Sequence, residues 1–137
     1  APWKRRIERG GWVHSLNVID GAKEALDEFR SKGMRIHPVT KPMLVDRWMF
    51  ERSLWLIEKL NVPFDDHHHT ASKFMVRGDA DERVILVEDN HKNLEAYHAH
   101  NPNATLILFD QPWNAIYDSK IWTRAKSWVD VKTIMNA

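Results

Sequence analysis

Cysteine is absent from the 137 residues, which excludes disulfides, thiolate metal centres and cysteine nucleophiles together and accords with a reducing compartment. An excess of either charge is absent too. Twenty Lys and Arg stand against nineteen Asp and Glu, a net charge of +1, so no global field favours a nucleic-acid polymer or an anionic membrane as partner. No apolar run reaches the roughly 18 residues of a membrane span, and the opening APWKRRIERGG lacks the apolar stretch of a signal peptide. These absences predict a soluble, cytoplasmic chain whose function resides in local sites. With no repeat, low-complexity stretch or evident linker, a single domain over residues 1–137 is expected. Tryptophan, by contrast, is abundant. Seven in a chain of this size are hard to hide in one small core, so some, such as Trp3, Trp12 and Trp113, are expected at an interface.

Hydrophobic periodicity sets out the elements. Ala22, Ala25, Leu26 and Phe29 predict an amphipathic helix from Asp20, a candidate N-cap, to Gly33. Met34 to Val39 predicts a strand that ends at Thr40, Lys41 and Pro42. Leu44, Trp48, Trp55 and Leu56 predict a helix from Leu44 to Leu60, and His67 to Thr70 a short strand. The apolar runs RVILV (83–87) and ATLILF (104–109) read as strands buried on both faces, with a helix from Lys92 to His100 between them. Strands alternating with helices predict an α/β fold with a parallel sheet, whose ligands bind at the carboxyl ends of the strands. Thr40, Glu88, Asp89 and the loop from Asp110 gather on that edge.

A hydroxyl at one strand end, an acidic pair at another and Lys73 between them suit a phosphate and a hard divalent cation. Each residue also has a plainer role. Glu88, Asp89 and Asn90 can cap the next helix, and Lys73 can be a solvated surface residue. Of His67, His68 and His69, alternation along a strand lets at most His67 and His69 share an ion. The Trp48 and Trp55 pair, at helical spacing, reads as packing.

Taken in order, these elements resemble the 5'(3')-deoxyribonucleotidase family of the haloacid dehalogenase superfamily over roughly Gly11 to Met135. The segments that carry the resemblance are LNVIDGAKEALDEFRSKGMRIHPVTKP, DRWMFERSLWLIEKL with TASKFMVRGD, RVILVEDNHKNLEAY, and ILFDQPWN with RAKSWVDVKTIM. The resemblance implies a three-layer, Rossmann-like parallel sheet with helices on both faces, and residues 1–11 as the remnant of a cap or linker. It implies Mg²⁺-dependent hydrolysis of deoxynucleoside monophosphates through an aspartyl-phosphate. Thr40 and Lys41 would bind the phosphoryl oxygens, Lys73 would neutralise developing charge, and Glu88 and Asp89 would support Mg²⁺, held weakly or not at all by the chain alone.

The family's first motif, Asp-x-Asp at the end of a central first strand, has no counterpart upstream of Thr40, where the acids are Glu8, Asp20, Glu24, Asp27 and Glu28. Glu88 also stands where the family usually has Asp. The chain therefore reads as the C-terminal portion of such an enzyme, inactive alone, with the strand and nucleophile supplied by a second polypeptide or through a homo-oligomer. The alternative is a non-catalytic descendant that keeps the scaffold as a binding or assembly module.

Overall fold

The computed structural model describes residues 5, 9–45 and 47–136; Trp3 lies outside them. The chain divides into two compact units, Ala1–Ala71 and Ser72–Ala137. Every strand pair in them is parallel.

In the first unit, helix α1 (Ala22–Ser31) buries Ala22, Ala25, Leu26 and Phe29, the predicted stripe. Its N-cap is Gly21, at φ 80°, and no side chain caps it, so the capping role expected of Asp20 is not realised. The C-terminal end follows the sequence. Gly33, at φ 84°, lets its N–H reach Arg30 O and the Met34 N–H reach Phe29 O, the paired bonds of a Schellman stop.

Strand β1 is confined to Val39–Thr40. The expected strand from Met34 shrinks because its one described partner, β2 (His68–His69), is equally short, with Val39 opposite His68 and Thr40 opposite His69. Helix α2 (Trp48–Leu60) starts four residues later than the apolar pattern predicts. Arg47 adopts a left-handed conformation, φ 68°, which cannot propagate a right-handed helix, and Leu44 is 99% exposed. Trp48, Trp55 and Leu56 are buried as expected, and Trp55 Nε1 donates to Leu16 O at 2.7 Å.

The second unit holds β3 (Ile85–Glu88), α3 (His91–His100), β4 (Thr105–Phe109), β5 (Thr123–Ala125) and α4 (Trp128–Met135). The sheet order is β3-β4-β5, with Glu88 opposite Leu108 and Phe109 opposite Ala125. Leu94 and Tyr97 of α3 pack with Leu106, Leu108 and Trp122. Leu106 to Leu108 are buried, whereas all four residues of β3 are only half-buried. That contrast is unexpected for a run as apolar as ILV, and it follows from β3 having a strand neighbour on one side only among the described residues. Trp113 is 62% exposed, while Trp12 is half-buried against Val13 and Trp48.

Candidate functional site

The carboxyl end of β3 places Glu88 and Asp89 where the chain turns into α3. A helical turn at Lys73–Met75 brings a lysine to the same point. This turn is held from α3: Tyr97 Oη donates to Val76 O at 2.8 Å and Asn101 Nδ2 to Phe74 O at 2.9 Å. Lys73 Nζ then donates to Glu88 Oε2 at 3.0 Å. The remaining Glu88 oxygen, Oε1, accepts from the backbone N–H groups of Asp89 and Asn90. Only 20% of the Lys73 side chain and 8% of the Glu88 side chain are exposed, which corrects the reading of Lys73 as a solvated residue.

The acidities of the pair diverge. Burial raises the Glu88 carboxyl, but a hydrogen bond from Asp89 and the Lys73 charge outweigh burial and leave it below its ordinary value. Asp89 is pushed up to about 6 by burial first, then by its hydrogen bond with Glu88 and the Glu88 charge. One carboxyl thus carries a charge fixed by lysine, and its neighbour is the more basic of the two. Asn90 takes the plainer role: its side chain accepts from the Lys92 and Asn93 N–H groups and caps α3. Next to it, His91 stacks on Tyr117 with ring centroids 3.6 Å apart.

Thr40, half-buried, closes β1, and Lys41 is exposed in the loop that follows. Both belong to the first unit, whereas Lys73, Glu88 and Asp89 belong to the second, where they meet. The His67 and His69 rings lie 6.2 Å apart. His67 Nε2 contacts Val62 O at 2.9 Å, and the closer imidazole contact is His37 Nδ1 to His68 Nε2 at 3.0 Å. Among the described residues no group of three or more His, Asp or Glu is arranged to hold a metal ion. As ligands for a hard cation the acidic pair is unequal, since Glu88 is engaged by Lys73 and two amides, and Asp89 is the carboxylate with fewer contacts to give up.

Asn114 and Arg124 lie in segments that carry the resemblance, but the sequence assigns neither a role in the site. Asn114, 1% exposed, donates to Asp89 O and Phe109 O, both at 2.8 Å. Arg124 on β5 donates to Asp110 Oδ1 at 2.6 Å, to Asn114 Oδ1 at 2.9 Å and to Tyr117 O at 2.6 Å. An Asn after Pro-Trp reads as an ordinary turn residue, and the acid Asp110 at the end of an apolar strand was the only hint of a partner for Arg124.

A parallel α/β scaffold with a lysine held against an acidic pair at a strand end is of the haloacid dehalogenase type. The family model of the 5' nucleotidase, deoxy (Pyrimidine), cytosolic type C proteins matches residues 3–137, and the chain belongs to that family. No curated protein matches the chain. Among the described residues no helix is long and apolar enough to cross a membrane.

Proposed function

We propose that the chain is the portion of a Mg²⁺-dependent deoxynucleoside-monophosphate phosphohydrolase that binds phosphate and carries the acidic pair, working in the cytoplasm with a nucleophile from a segment outside these 137 residues. The observation that carries the reading is the Lys73–Glu88 ion pair beside Asp89 at the end of a parallel strand. A lysine so held is a fixed positive charge for the phosphoryl oxygens as negative charge builds on them. Asp89 would hold the cation, with Glu88 keeping the lysine aligned, and bound Mg²⁺ would add positive charge at the phosphoryl group. Thr40 and Lys41 would bind the phosphoryl oxygens from the end of β1.

The open strand edges support a supplied strand. β1 has a described neighbour on one side only, and so has β3. Each therefore offers backbone N–H and C=O groups to a further parallel strand. The test is reconstitution: the 137-residue chain is mixed with a polypeptide bearing an apolar strand that ends in Asp-x-Asp, and deoxynucleoside monophosphate hydrolysis is followed with Mg²⁺. Turnover only in the mixture is expected. Robust turnover by the chain alone would refute the need for a supplied nucleophile.

Exposed apolar side chains favour a second reading, a binding module. Trp113 and Ile116 in the loop after β4 are 62% and 84% exposed, and a mixture that assembles without hydrolysing substrate would select it.

A further inference from the structure

We infer that Asn114 is a positioning residue that fixes the backbone from which Asp89 projects, an inference that rests on the reading of Glu88 and Asp89 as the acidic pair of the site. Asn114 closes the short turn Pro112–Asn114 and is the most buried polar side chain described. Its amide is saturated: Nδ2 donates to Asp89 O and Phe109 O, and Oδ1 accepts from Gln111 N and Arg124 Nη1.

The location gives these bonds their meaning. The β3–β4 ladder ends at the pair Glu88 and Leu108, so Asp89 and Phe109 are the first residues beyond it, where the strands part into α3 and the 110–118 loop. Asn114 bridges their carbonyls at that fork and replaces the missing rung. The Asp89 N–H meanwhile donates to Glu88 Oε1 at 3.1 Å. Both peptide groups flanking the Asp89 Cα are therefore held, one by Glu88 and one by Asn114. Only the side-chain torsions remain to place its carboxyl group.

Arg124 holds the bridge in turn. Besides Asn114 Oδ1 it donates to the Asn114 and Tyr117 carbonyls and to Asp110 and Asp118, so the loop that carries Asn114 is pinned to β5. The chain of contacts runs from β5 through Arg124 and Asn114 to Asp89.

The test uses the full chain and nuclear magnetic resonance. In the unmodified protein the Asn114 side-chain amide should exchange slowly and show through-hydrogen-bond coupling to the Asp89 carbonyl; rapid exchange with no coupling overturns the proposal whether or not any variant folds. In Asn114→Asp, which keeps the shape but removes both donors, the Asp89 and Asn90 backbone amides should become mobile, read as a fall in their order parameters. Unchanged order parameters at the Asp89 and Asn90 amides in a folded Asn114→Asp variant also overturn it. Mn²⁺, as a paramagnetic probe, should broaden the Asp89 and Asn90 amides, and its affinity should fall roughly 10- to 100-fold in the variant, the usual cost of losing a group that orients a metal ligand. Ordering of Asp89 by Asn114 with no broadening of the Asp89 and Asn90 amides even at a large excess of Mn²⁺ would refute the acidic-site reading and leave the positioning role standing.

Discussion

Lys73 Nζ lies 3.0 Å from Glu88 Oε2, and the two side chains are only 20% and 8% exposed. The contact is therefore a mostly buried ion pair at the carboxyl end of β3, and a carboxylate that lost its lysine would have to stay charged in a poor solvent or take up a proton.

Lys73→Ala should accordingly cost stability as well as activity. Leaving a buried carboxylate without its cation costs about 1–3 kcal/mol, and urea denaturation of the variant should show a loss of that size. Lys73→Met combined with Glu88→Gln should recover most of it, because no charge is then left unpaired. In the reconstituted enzyme neither variant should turn over substrate. A Lys73→Ala chain as stable as the parent would mean that the ion pair does not form in solution.

Asp89 should give the second unit a pH dependence with a definite sign. Its carboxyl rises from 3.8 to about 6 on folding, so the folded state binds the proton more tightly than the unfolded one. Its stabilising contribution is full below 3.8 and is lost as pH rises through about 6. Glu88 works in the opposite sense and only at lower pH, its contribution being lost as pH falls through a value below 4.5. The denaturation midpoint of Asp89→Asn, subtracted from that of the parent between pH 4.5 and 7, should carry the Asp89 share together with any change it forces on Glu88; a flat difference would contradict it.

The histidines of the first unit should respond with the contrary sign. His68 falls below 6.5 through burial and the charge of His37, and His69 falls through burial and the charge of His67. Their stabilising contribution is present above 6.5 and is lost as pH falls through the lowered values. Protection factors of the α2 amides, exchange taken relative to the intrinsic rate at each pH, should fall on acidification, and His68→Gln with His69→Gln should blunt the change.

A pair of truncations can detect the supplied strand. Leu108 is fully buried, so Leu108→Ala should cost about 2–5 kcal/mol. Val87 is half-buried on β3, and Val87→Ala should cost no more than about 1 kcal/mol in the chain alone, in proportion to the smaller area it buries. In the reconstituted complex the Val87→Ala penalty should rise. An equal penalty in both states would argue against a strand pairing with β3.

How far the fold could be read in advance depended on where each signal lay. RVILV and ATLILF announced β3 and β4 because an uninterrupted apolar run has few other homes, and Gly33 marked its helix end because only a residue tolerant of positive φ serves there. Leu44 misled because it fits the helical period yet sits on the far side of Arg47, whose backbone conformation no periodicity reveals. Thr123–Ala125, three residues with one arginine, is too short and too polar to stand out as a strand. Within the site, Lys73, Glu88 and Asp89 were legible as residue types at strand and turn positions. Asn114 was not, for its importance comes from burial among two carbonyls and a guanidinium that lie apart in the chain.

The half-buried state of β3 also has a colloidal consequence. An edge that presents Ile85, Leu86 and Val87 with their backbone polar groups, and carries no lysine, proline or bulge along those residues to blunt it, accepts any extended chain of matching register. Left alone at high concentration, a second copy of the same strand is the most abundant candidate. Light scattering of the isolated chain should therefore grow with concentration, and a charge placed on that edge, Val87→Lys, should suppress the growth while leaving the β4 core in place.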